Sequence, residues 1–381
     1  MKEVFITDYQ IISPLGITSD SNFKSVIAQK SAIDCQKSTT GEPVCTSVFN
    51  RDLMEVEFIN HDVSDAFTFL ERLMILSIKK LMNNDRLKIY ADNVLIIATT
   101  KGNIDILEKG SPFYPEQEKA YLSALGEQIK NYFNFKKDPV IVSNACISGT
   151  LAISVAKNLL NSNYAKDAVV VAGDLVSEFV ISGFQSFQAL SDQPCRPYSK
   201  NRKGINLGEA VASLWISTDM SLSKQGAVEV IGTGSANDAN HISGPSRNGE
   251  GLFLSIRSAL REAGISHEEI DFIGAHGTAT LYNDEMEAIA MHRVGLQDKP
   301  LHSLKANFGH TLGTAGLLET IIGIESLQHN ILIPSMGFDE SGVSKPLHIL
   351  SEPVSRDVQC FLKTSSGFGG CNAAVILKKV K

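Results

Sequence analysis

The sequence predicts an α/β protein built from two related halves. Short runs rich in β-branched residues alternate with helix-like stretches, and these runs are apolar throughout, which is typical of strands covered by helices on both faces. Two segments, 140–160 and 303–327, share the order of a short strand, an asparagine with small residues, and an apolar helix. The polar, turn-like stretch 219–225 lies between them. We therefore place the halves at residues 1–220 and 221–381.

The predicted strands are distributed along the whole chain. They lie at residues 4–6, 94–98, 140–142, 168–172, 228–231, 272–274 and 373–377. The least regular stretch, 101–137, contains a predicted helix at 116–132. Another short strand, at 361–362, precedes a glycine-rich turn at 365–372.

The composition excludes several classes of protein. The chain has 381 residues and a formal net charge of -7, with 43% hydrophobic and 20% charged residues. This balance excludes a disordered tail, a collagen and a coiled-coil rod, and it disfavours nucleic-acid binding. The longest apolar runs fall far short of the ~20 residues that cross a bilayer, so we expect no membrane span. Glu3 and Asp8 interrupt the place where a secretory signal needs an apolar core, so we expect a cytoplasmic protein.

The cysteine pattern predicts reduced thiols. The chain contains no CxxC or CxxH pairing among its six cysteines, Cys35, Cys45, Cys146, Cys195, Cys360 and Cys371. In a chain of this length, such spacing indicates neither a disulfide framework nor a zinc site, and we expect no bound metal. The glycine-rich segments 232–235 and 365–372 are not followed directly by helices, so neither matches a nucleotide or phosphate loop. We therefore expect no cofactor.

Cys146 is the first candidate for catalysis. It follows the predicted strand 140–142 and opens an apolar helix. A helix N-terminus presents unpaired N–H groups and a partial positive charge, and both favour a thiolate over a thiol. The alternative is a small buried thiol with no chemistry, which is the usual fate of a free cysteine. Position alone leaves both interpretations open.

Two histidines lie in turns of a similar kind. His276 directly follows a strand, among small residues that let a substrate approach the backbone closely. His310 lies in a comparable turn, five positions after Lys305. A single histidine in such a turn is more often bound to a backbone carbonyl, so neither residue alone establishes a site. We interpret the other histidines as structural, among them His61, His267, His292, His329 and His348.

Taken together, these motifs resemble those of a β-ketoacyl-acyl-carrier-protein synthase, from the decarboxylating condensing-enzyme branch of the thiolase superfamily. The three matching motifs, in the family's order, are Ser143-Asn-Ala-Cys146-Ile-Ser-Gly, Ala275-His276-Gly-Thr-Ala-Thr280 and Leu304-Lys305-Ala-Asn307-Phe-Gly-His310. Further matches lie at 184–191, 206–210, 237–245 and 367–372. The resemblance covers nearly the whole chain and implies a thiolase-like five-layered αβαβα fold of two pseudo-twofold related halves.

The resemblance also implies a reaction. Cys146 would hold an acyl chain as a thioester, and malonyl-acyl-carrier protein would lose carbon dioxide and condense with it to give 3-oxoacyl-acyl-carrier protein. His276 and His310 would stabilise the enolate that forms on decarboxylation. Lys305 would supply nearby positive charge and pair with the acid at Glu287.

Binding roles and partners follow from the same resemblance. The backbone N–H groups of Cys146 and Phe368 would form the oxyanion hole. Substrate contacts, including those to the pantetheine arm, are implied for Thr278, Thr280, Asn307 and Gly369. The implied partners are an acyl-carrier protein and a second subunit, in a homodimer or a heterodimer with a related ketosynthase-like chain. Phosphopantetheine would arrive on the carrier protein, so no cofactor of the enzyme itself is implied.

Several departures from the family pattern suggest a specialised pathway. Ser366 stands where the family usually has an aromatic residue. The chain is shorter than typical members around 35–60 and 101–137, and basic residues that the family carries near 62–69 are missing. These changes favour synthesis of specialised fatty acids, polyenes such as aryl polyenes, or polyketide-like lipids over housekeeping fatty-acid synthesis.

A basic cluster suggests where the carrier protein binds. Acyl-carrier proteins are strongly acidic, and the most concentrated basic residues of this acidic chain are Arg196, Lys200, Arg202 and Lys203. We hypothesise that the cluster forms part of the docking face and acts mainly on the association rate. The alternative is a solvated charged loop.

Three other functions compete with this interpretation. A thiolase uses the same fold and would need a second cysteine as base, for which Cys371 is a candidate, but Lys305 has no role in a thiolase. A non-catalytic chain-length partner typically lacks the cysteine that this chain has at Cys146. A cysteine hydrolase would not explain Lys305 or the two-half repeat.

Overall fold

The computed structural model describes residues 2–37, 43–224, 226–238 and 246–380. Within these ranges the chain forms ten α-helices: α1 Ser19–Ile27, α2 Arg51–Asn60, α3 Phe69–Leu81, α4 Leu122–Phe133, α5 Ser148–Asn161, α6 Glu178–Ser186, α7 Glu250–Ala263, α8 Leu281–Val294, α9 Lys305–Phe308 and α10 Ala315–His329. The same ranges contain fifteen strands: β1 Phe5–Ile12, β2 Asp34–Lys37, β3 Pro43–Ser47, β4 Val94–Ala98, β5 Val140–Val142, β6 Asp167–Asp174, β7 Leu207–Gly208, β8 Ala210–Ser217, β9 Val228–Asn237, β10 Phe272–Gly274, β11 Leu301–His302, β12 Ile331–Leu332, β13 Val354–Ser355, β14 Cys360–Gly367 and β15 Cys371–Lys379.

Ten strands form one continuous sheet that repeats the same topology twice. Its order is β11-β10-β14-β15-β9-β1-β8-β6-β4-β5. In one half β4 is parallel to β5 and β6, while β8 is antiparallel to β6 and β1. In the other half β10 is parallel to β11 and β14, while β15 is antiparallel to β14 and β9. The internal repeat inferred from two sequence segments therefore extends over all strands of the sheet.

The two halves of the sheet meet at a narrow seam. Strands β1 and β9 share only two residue pairs, Phe5 with Glu229 and Ile6 with Val228. The predicted division near residue 220 falls between β8, which pairs with β1, and β9, which forms the seam with β1.

Helices cover both faces of each half. Helices α5 and α10 lie in the middle and pack into a core shared by strands of both halves. Helices α3 and α4 cover the outer face of the N-terminal half, and α7 and α8 cover that of the C-terminal half. Helix α10 is buried at every position from Ala315 to Leu327, as expected for a helix that is apolar on all sides. The predicted five-layered αβαβα fold is confirmed.

The two central helices touch at a pair of glycines near their N-termini. A Cβ atom on Gly149 of α5 would lie 2.6 Å from the amide nitrogen of Leu317. A Cβ atom on Gly316 of α10 would lie 2.6 Å from the amide nitrogen of Thr150. Only glycine permits backbones to approach this closely, so these residues fix how near the two helix starts lie.

Some local predictions differ from the structure. The predicted helix at 116–132 is a 3₁₀ turn, Gln117–Ala120, followed by α4, because the backbone of Tyr121 is extended between them. Strand β8 was not predicted, since its alanines and serines dilute the β-branched signal, although all of its residues are buried. Of the sequence match at 237–245, residues 239–245 lie outside the described part of the chain.

The expectation of six reduced thiols is wrong for two cysteines. Cys35 and Cys45 lie directly opposite each other in the antiparallel pair of β2 and β3, and they form a disulfide. Their sequence spacing does not reveal this register, which depends on the hairpin. The other four cysteines are free and buried.

Every helix in the described ranges is too short or too polar to cross a membrane.

Candidate active site

Cys146 lies in a sharp turn between β5 and α5. Its neighbour Ala145 has a φ of +43°, which is unusual for a residue with a side chain. The hydroxyl of Ser148 stabilises the turn, because it donates to the Ala145 carbonyl at 2.7 Å and accepts from the Asn144 N–H at 2.8 Å. The turn therefore holds the thiol at the N-terminal end of α5, as the sequence predicted.

His276 lies in the loop between β10 and α8, and acids of α8 hold this loop. The carboxylate of Glu287 accepts the backbone N–H groups of His276 at 2.8 Å and Gly277 at 2.6 Å. Asp284 accepts the N–H of Thr278 at 3.0 Å. Because these carboxylates are buried, their bonds to the backbone fix the loop more firmly than exposed contacts would.

His310 follows α9 and carries an identifiable tautomer. Its Nδ1 accepts the backbone N–H of Leu312 at 3.1 Å. A neutral imidazole has one donor and one acceptor nitrogen, so the proton of His310 lies on Nε2. Its backbone N–H donates to the Asn206 carbonyl at 2.6 Å, which ties the histidine to the N-terminal half.

The structure brings the three predicted residues together. The Sγ of Cys146 and one ring nitrogen from each of His276 and His310 lie within 4.8 Å of one another. The two imidazole rings are nearly perpendicular, with centroids 5.1 Å apart and an interplanar angle of 81°. A thioester placed beside the thiol would therefore lie within reach of both rings.

Burial sets the protonation of the resting site. It raises the pKa of the Cys146 thiol to about 12, with a further contribution from Cys371, whereas Lys305 and the Phe368 backbone act to lower it. Burial also lowers the pKa of His276 and of His310 well below the usual value, and Lys305 lowers both further. The resting site thus contains a thiol and two neutral imidazoles.

The predicted partner of Lys305 needs correction. Its Nζ pairs with Glu319 of α10, not with Glu287, and it donates to the His276 carbonyl at 3.1 Å. Glu287 is already occupied by two backbone N–H groups and by the Tyr198 hydroxyl at 2.9 Å. In the sequence, Glu319 is an acid within the otherwise apolar stretch of α10. Because unpaired charges are rarely buried, this position was the signal that a buried partner such as Lys305 lies opposite.

A cavity of about 470 Å³ opens over the cysteine and the histidines. Thr278, Thr280 and Gly369, for which substrate contacts were predicted, line it, as do Phe368, predicted for the oxyanion hole, and Ser366. The ring of Phe368 packs on two phenylalanines, at 5.5 Å from Phe184 and 5.1 Å from Phe187.

Asn307, the fourth residue predicted as a substrate contact, is not among the residues that line this cavity. Its side chain donates to the Lys30 carbonyl at 2.9 Å and so has a structural role.

The predicted docking cluster is divided in the structure. Arg202 is buried and donates to the carbonyls of Ser199 and Gly342, so it cannot belong to an exposed face. Arg196 pairs with Asp339 and Lys200 pairs with Glu340, which offsets their charges. Lys203 is exposed and lines the mouth of the cavity.

Cys371 lies behind the active-site loop. Its Sγ is 3.3 Å from the Phe368 carbonyl, and it lines a separate cleft of about 250 Å³ with Asn144, Asn237 and Asn372. It is not among the residues that line the cavity above Cys146. The thiol of Cys371 is still close enough to contribute to the raised pKa of Cys146.

Comparisons with known proteins show which family the chain is similar to. The family models described as the N-terminal and C-terminal domains of beta-ketoacyl synthase match residues 92–219 and 227–339. The 3-oxoacyl-[acyl-carrier-protein] synthase 2 of Rhizobium meliloti is 32% identical over 286 residues, which cover 71% of this chain and 67% of that protein. The protein of the same name from Coxiella burnetii is 26% identical over 415 residues, covering 100% and 99%. The solved structure of the ishigamide ketosynthase/chain length factor aligns over 100% of both chains with a TM-score of 0.87 and 25% identity.

Proposed function

The chain belongs to the beta-ketoacyl synthase family, and we propose that it joins an acyl group held on Cys146 to the two-carbon unit of malonyl-acyl-carrier protein. It is a 3-oxoacyl-acyl-carrier-protein synthase, an acyltransferase that needs no cofactor of its own. The observation that supports the proposal most strongly is the convergence of one thiol and two neutral imidazoles within 4.8 Å at a single cavity.

The first step is acyl transfer to Cys146. The sulfur attacks the carbonyl carbon of the acyl-carrier thioester, a new C–S bond forms, and the bond to the carrier sulfur breaks. The cysteine proton leaves with the carrier thiol, so charge is conserved. Since the resting pKa of Cys146 is about 12, the step depends on groups that favour the thiolate: Lys305, the start of α5 and the Phe368 backbone.

The second step is decarboxylation of the malonyl group. Its carboxylate leaves as carbon dioxide, and the electron pair remains as an enolate. We assign the stabilisation of the enolate oxygen to His276 and to the Nε2–H of His310, because a neutral imidazole donates a hydrogen bond without giving up its proton. The enolate carbon then attacks the acyl group, a C–C bond forms, and the C–S bond to Cys146 breaks. The electron pair stays on sulfur, and the thiolate takes up a proton from solvent to restore the resting thiol.

The walls of the cavity fit a thioester on a long arm. We assign the pantetheine arm to Thr278 and Thr280, whose hydroxyls lie 2.9 Å apart at the cavity wall. The oxyanion of the tetrahedral intermediate would bind the N–H groups of Cys146 and Phe368. Ser366 occupies a wall position where it donates to Asn372 at 2.7 Å, which leaves the cavity without an aromatic side chain there.

We propose an acyl-carrier protein as substrate carrier and a second ketosynthase-like subunit as partner. The name of the ishigamide structure pairs a ketosynthase with a chain length factor, and this supports a partner of that kind. An intact Cys146 with both histidines supports the proposal that this chain is the catalytic subunit of such a pair. The departures at Ser366 and around residues 35–60 support a specialised fatty-acid, polyene or polyketide-like pathway.

The direct test is the reaction itself. Purified protein is acylated with acyl-carrier proteins of different chain lengths and then given malonyl-carrier protein. After the first incubation we expect the intact mass of the protein to increase by one acyl group. After the second we expect 3-oxoacyl-carrier protein as the product. Acylation without any condensation product, with the expected partner subunit present, would contradict the proposal.

Carrier docking is tested separately through Lys203. Lys203→Glu should raise KM for carrier substrates a few-fold at low salt and less at high salt, because exposed charges act on association. Lys200→Glu should have a smaller effect, since Glu340 already offsets that charge. An equal KM for both variants and the parent protein would exclude this face.

A further inference from the structure

Lys363 is a second buried lysine behind the active site. It lies in β14, between Leu362 and Thr364, and its side chain is fully buried. Its Nζ lies 2.7 Å from Oε2 of Glu319 and donates to the carbonyls of Gly274 at 3.2 Å and Thr364 at 2.5 Å. Removing a charged group from water costs several kcal/mol, so a buried lysine persists only where its partners compensate it.

Lys363 and Lys305 share one carboxylate. Lys305 pairs with Oε1 of Glu319 and Lys363 with Oε2, and neither lysine is exposed to solvent. Burial lowers the pKa of Lys363, whereas the negative charge of Glu319 raises it. With both lysines charged, the cluster contains two cations and one anion.

The two lysines hold three consecutive carbonyls at the start of the histidine loop. Lys363 donates to Gly274 and, at 3.4 Å, to Ala275, while Lys305 donates to His276. The N–H groups of His276 and Gly277 are held from the other side by Glu287. The backbone that carries His276 is therefore fixed by buried charges at both its donors and its acceptors.

We propose that Lys363 is a positioning residue for His276. Together with Lys305, and anchored like it by Glu319, Lys363 holds the backbone carbonyls of residues 274–276 and adds positive charge near the two histidines. This inference rests on the function proposed above. Lys363 touches no reacting atom and acts through the histidine loop and the charge of the cluster.

The charge of Lys363 predicts the direction in which the pH dependence of activity should move when this residue is replaced. Lys363, like Lys305, lowers the pKa of His276 and of His310, so both stay neutral to lower pH. Without Lys363 the two pKa values should rise, and activity should be lost at a higher pH as the medium is acidified. The other titratable or charged groups around the loop are Cys146, Tyr198, Arg202, Asp284, Glu287, His302, Lys305, His310 and Glu319.

The test measures carbon dioxide release from malonyl-carrier protein by Lys363→Met across pH. We expect kcat to fall ~10- to 100-fold, the scale of a misplaced catalytic group, with KM within about twofold of the parent. The acid limb of the pH profile should move upward by about one unit. If Lys363→Met does not fold, as judged by thermal unfolding, Lys363→Gln takes its place.

Lys157→Met is the matched control. Lys157 is also a buried lysine with one carboxylate partner, Glu262 at 2.9 Å, but it lies in the later part of α5. The Lys157→Met variant should have the same acid limb in its pH profile as the parent protein. A folded Lys363 variant with parental kcat and pH profile would overturn the inference, and so would a loss of rate with an unmoved acid limb. A parent enzyme that releases no carbon dioxide would instead refute the proposed function.

Discussion

The turn that carries Cys146 and the loop that carries His276 come from corresponding halves of one repeat, but different chemistry holds them. Around Cys146 the stabilising group is the neutral hydroxyl of Ser148, next to a backbone with positive φ. Around His276 the stabilising groups are buried ions, with Glu287 on the N–H groups and two lysines on the carbonyls.

The difference shows how one fold divides two tasks. A nucleophile needs an exact direction of approach, which a sharp turn and a helix start supply through neutral groups. Enolate stabilisation needs imidazoles that remain neutral and fixed, and a net positive cluster in a dry interior supplies both. The N-terminal half thus aims the reacting atom, and the C-terminal half sets protonation.

The largest expected effect separates the halves directly. Cys146→Ala should reduce condensation by at least about a thousandfold, because no thioester can form, yet malonyl decarboxylation should continue since both histidines remain. Condensation product and carbon dioxide are measured in the same incubation. Cys360→Ala, which removes another buried free thiol, is the control. Loss of carbon dioxide release in Cys146→Ala would mean that the two tasks are not divided.

The reverse change removes a histidine. His310→Ala should lower decarboxylation by roughly 100-fold or more, the scale of losing one preorganised donor, while Cys146 still becomes acylated. Carbon dioxide release and the intact mass of the acyl-enzyme report the two activities. His329→Ala, in the same half but exposed, should match the parent. Decarboxylation at the parental rate in His310→Ala would return the thiolase interpretation.

Lys305→Ala should weaken both activities, because this residue reaches both halves. Its loss raises the pKa of Cys146 and of the two histidines, since Lys305 lowers all three. We expect a loss of about tenfold in acylation, slower alkylation of Cys146 by iodoacetamide at pH 8, and an acid limb at higher pH. An unchanged alkylation rate would show that the cation does not reach the thiol.

The smallest effect is expected at Cys371. Cys371→Ser should keep condensation within about twofold of the parent, because the thiol lies behind the loop and keeps a similar size. Peptide mapping of the acyl-enzyme should find the thioester on Cys146 alone. A thioester on Cys371, or a large loss of condensation in the serine variant, would point to a role for this cysteine in the reaction.

Much of the site followed from the sequence because each motif places its residue next to a strand end. Cys146 follows β5 and opens an apolar helix, and His276 directly follows β10 among small residues, so both positions were visible as candidates in the sequence. The apolar strands and the repeated turns were sufficient for the fold class. Strand β8 and the exact start of α4 were missed, because their residues have weak or mixed propensities.

Residues whose role depends on tertiary pairing were not predictable in the same way. Glu319 lies in the helix after His310 and Lys363 lies just before the glycine-rich turn, and only packing shows that they meet. Glu287 was assigned to Lys305 although the structure places it on backbone N–H groups. Arg202 reads as a surface charge in sequence, but it donates inward to backbone carbonyls.

The close approach of α5 and α10 at Gly149 and Gly316 sets the distance between the catalytic residues, although neither glycine contacts a reacting atom. Each lies within one turn of the start of its helix, and the two helices present Cys146 and follow His310. A single methyl group on either glycine would force the two backbones apart, because it would lie 2.6 Å from an amide nitrogen. Substitutions at Gly149 and Gly316 should therefore be poorly tolerated, although neither residue has a reactive atom. A mutational screen for lost activity would identify both glycines together with the catalytic residues.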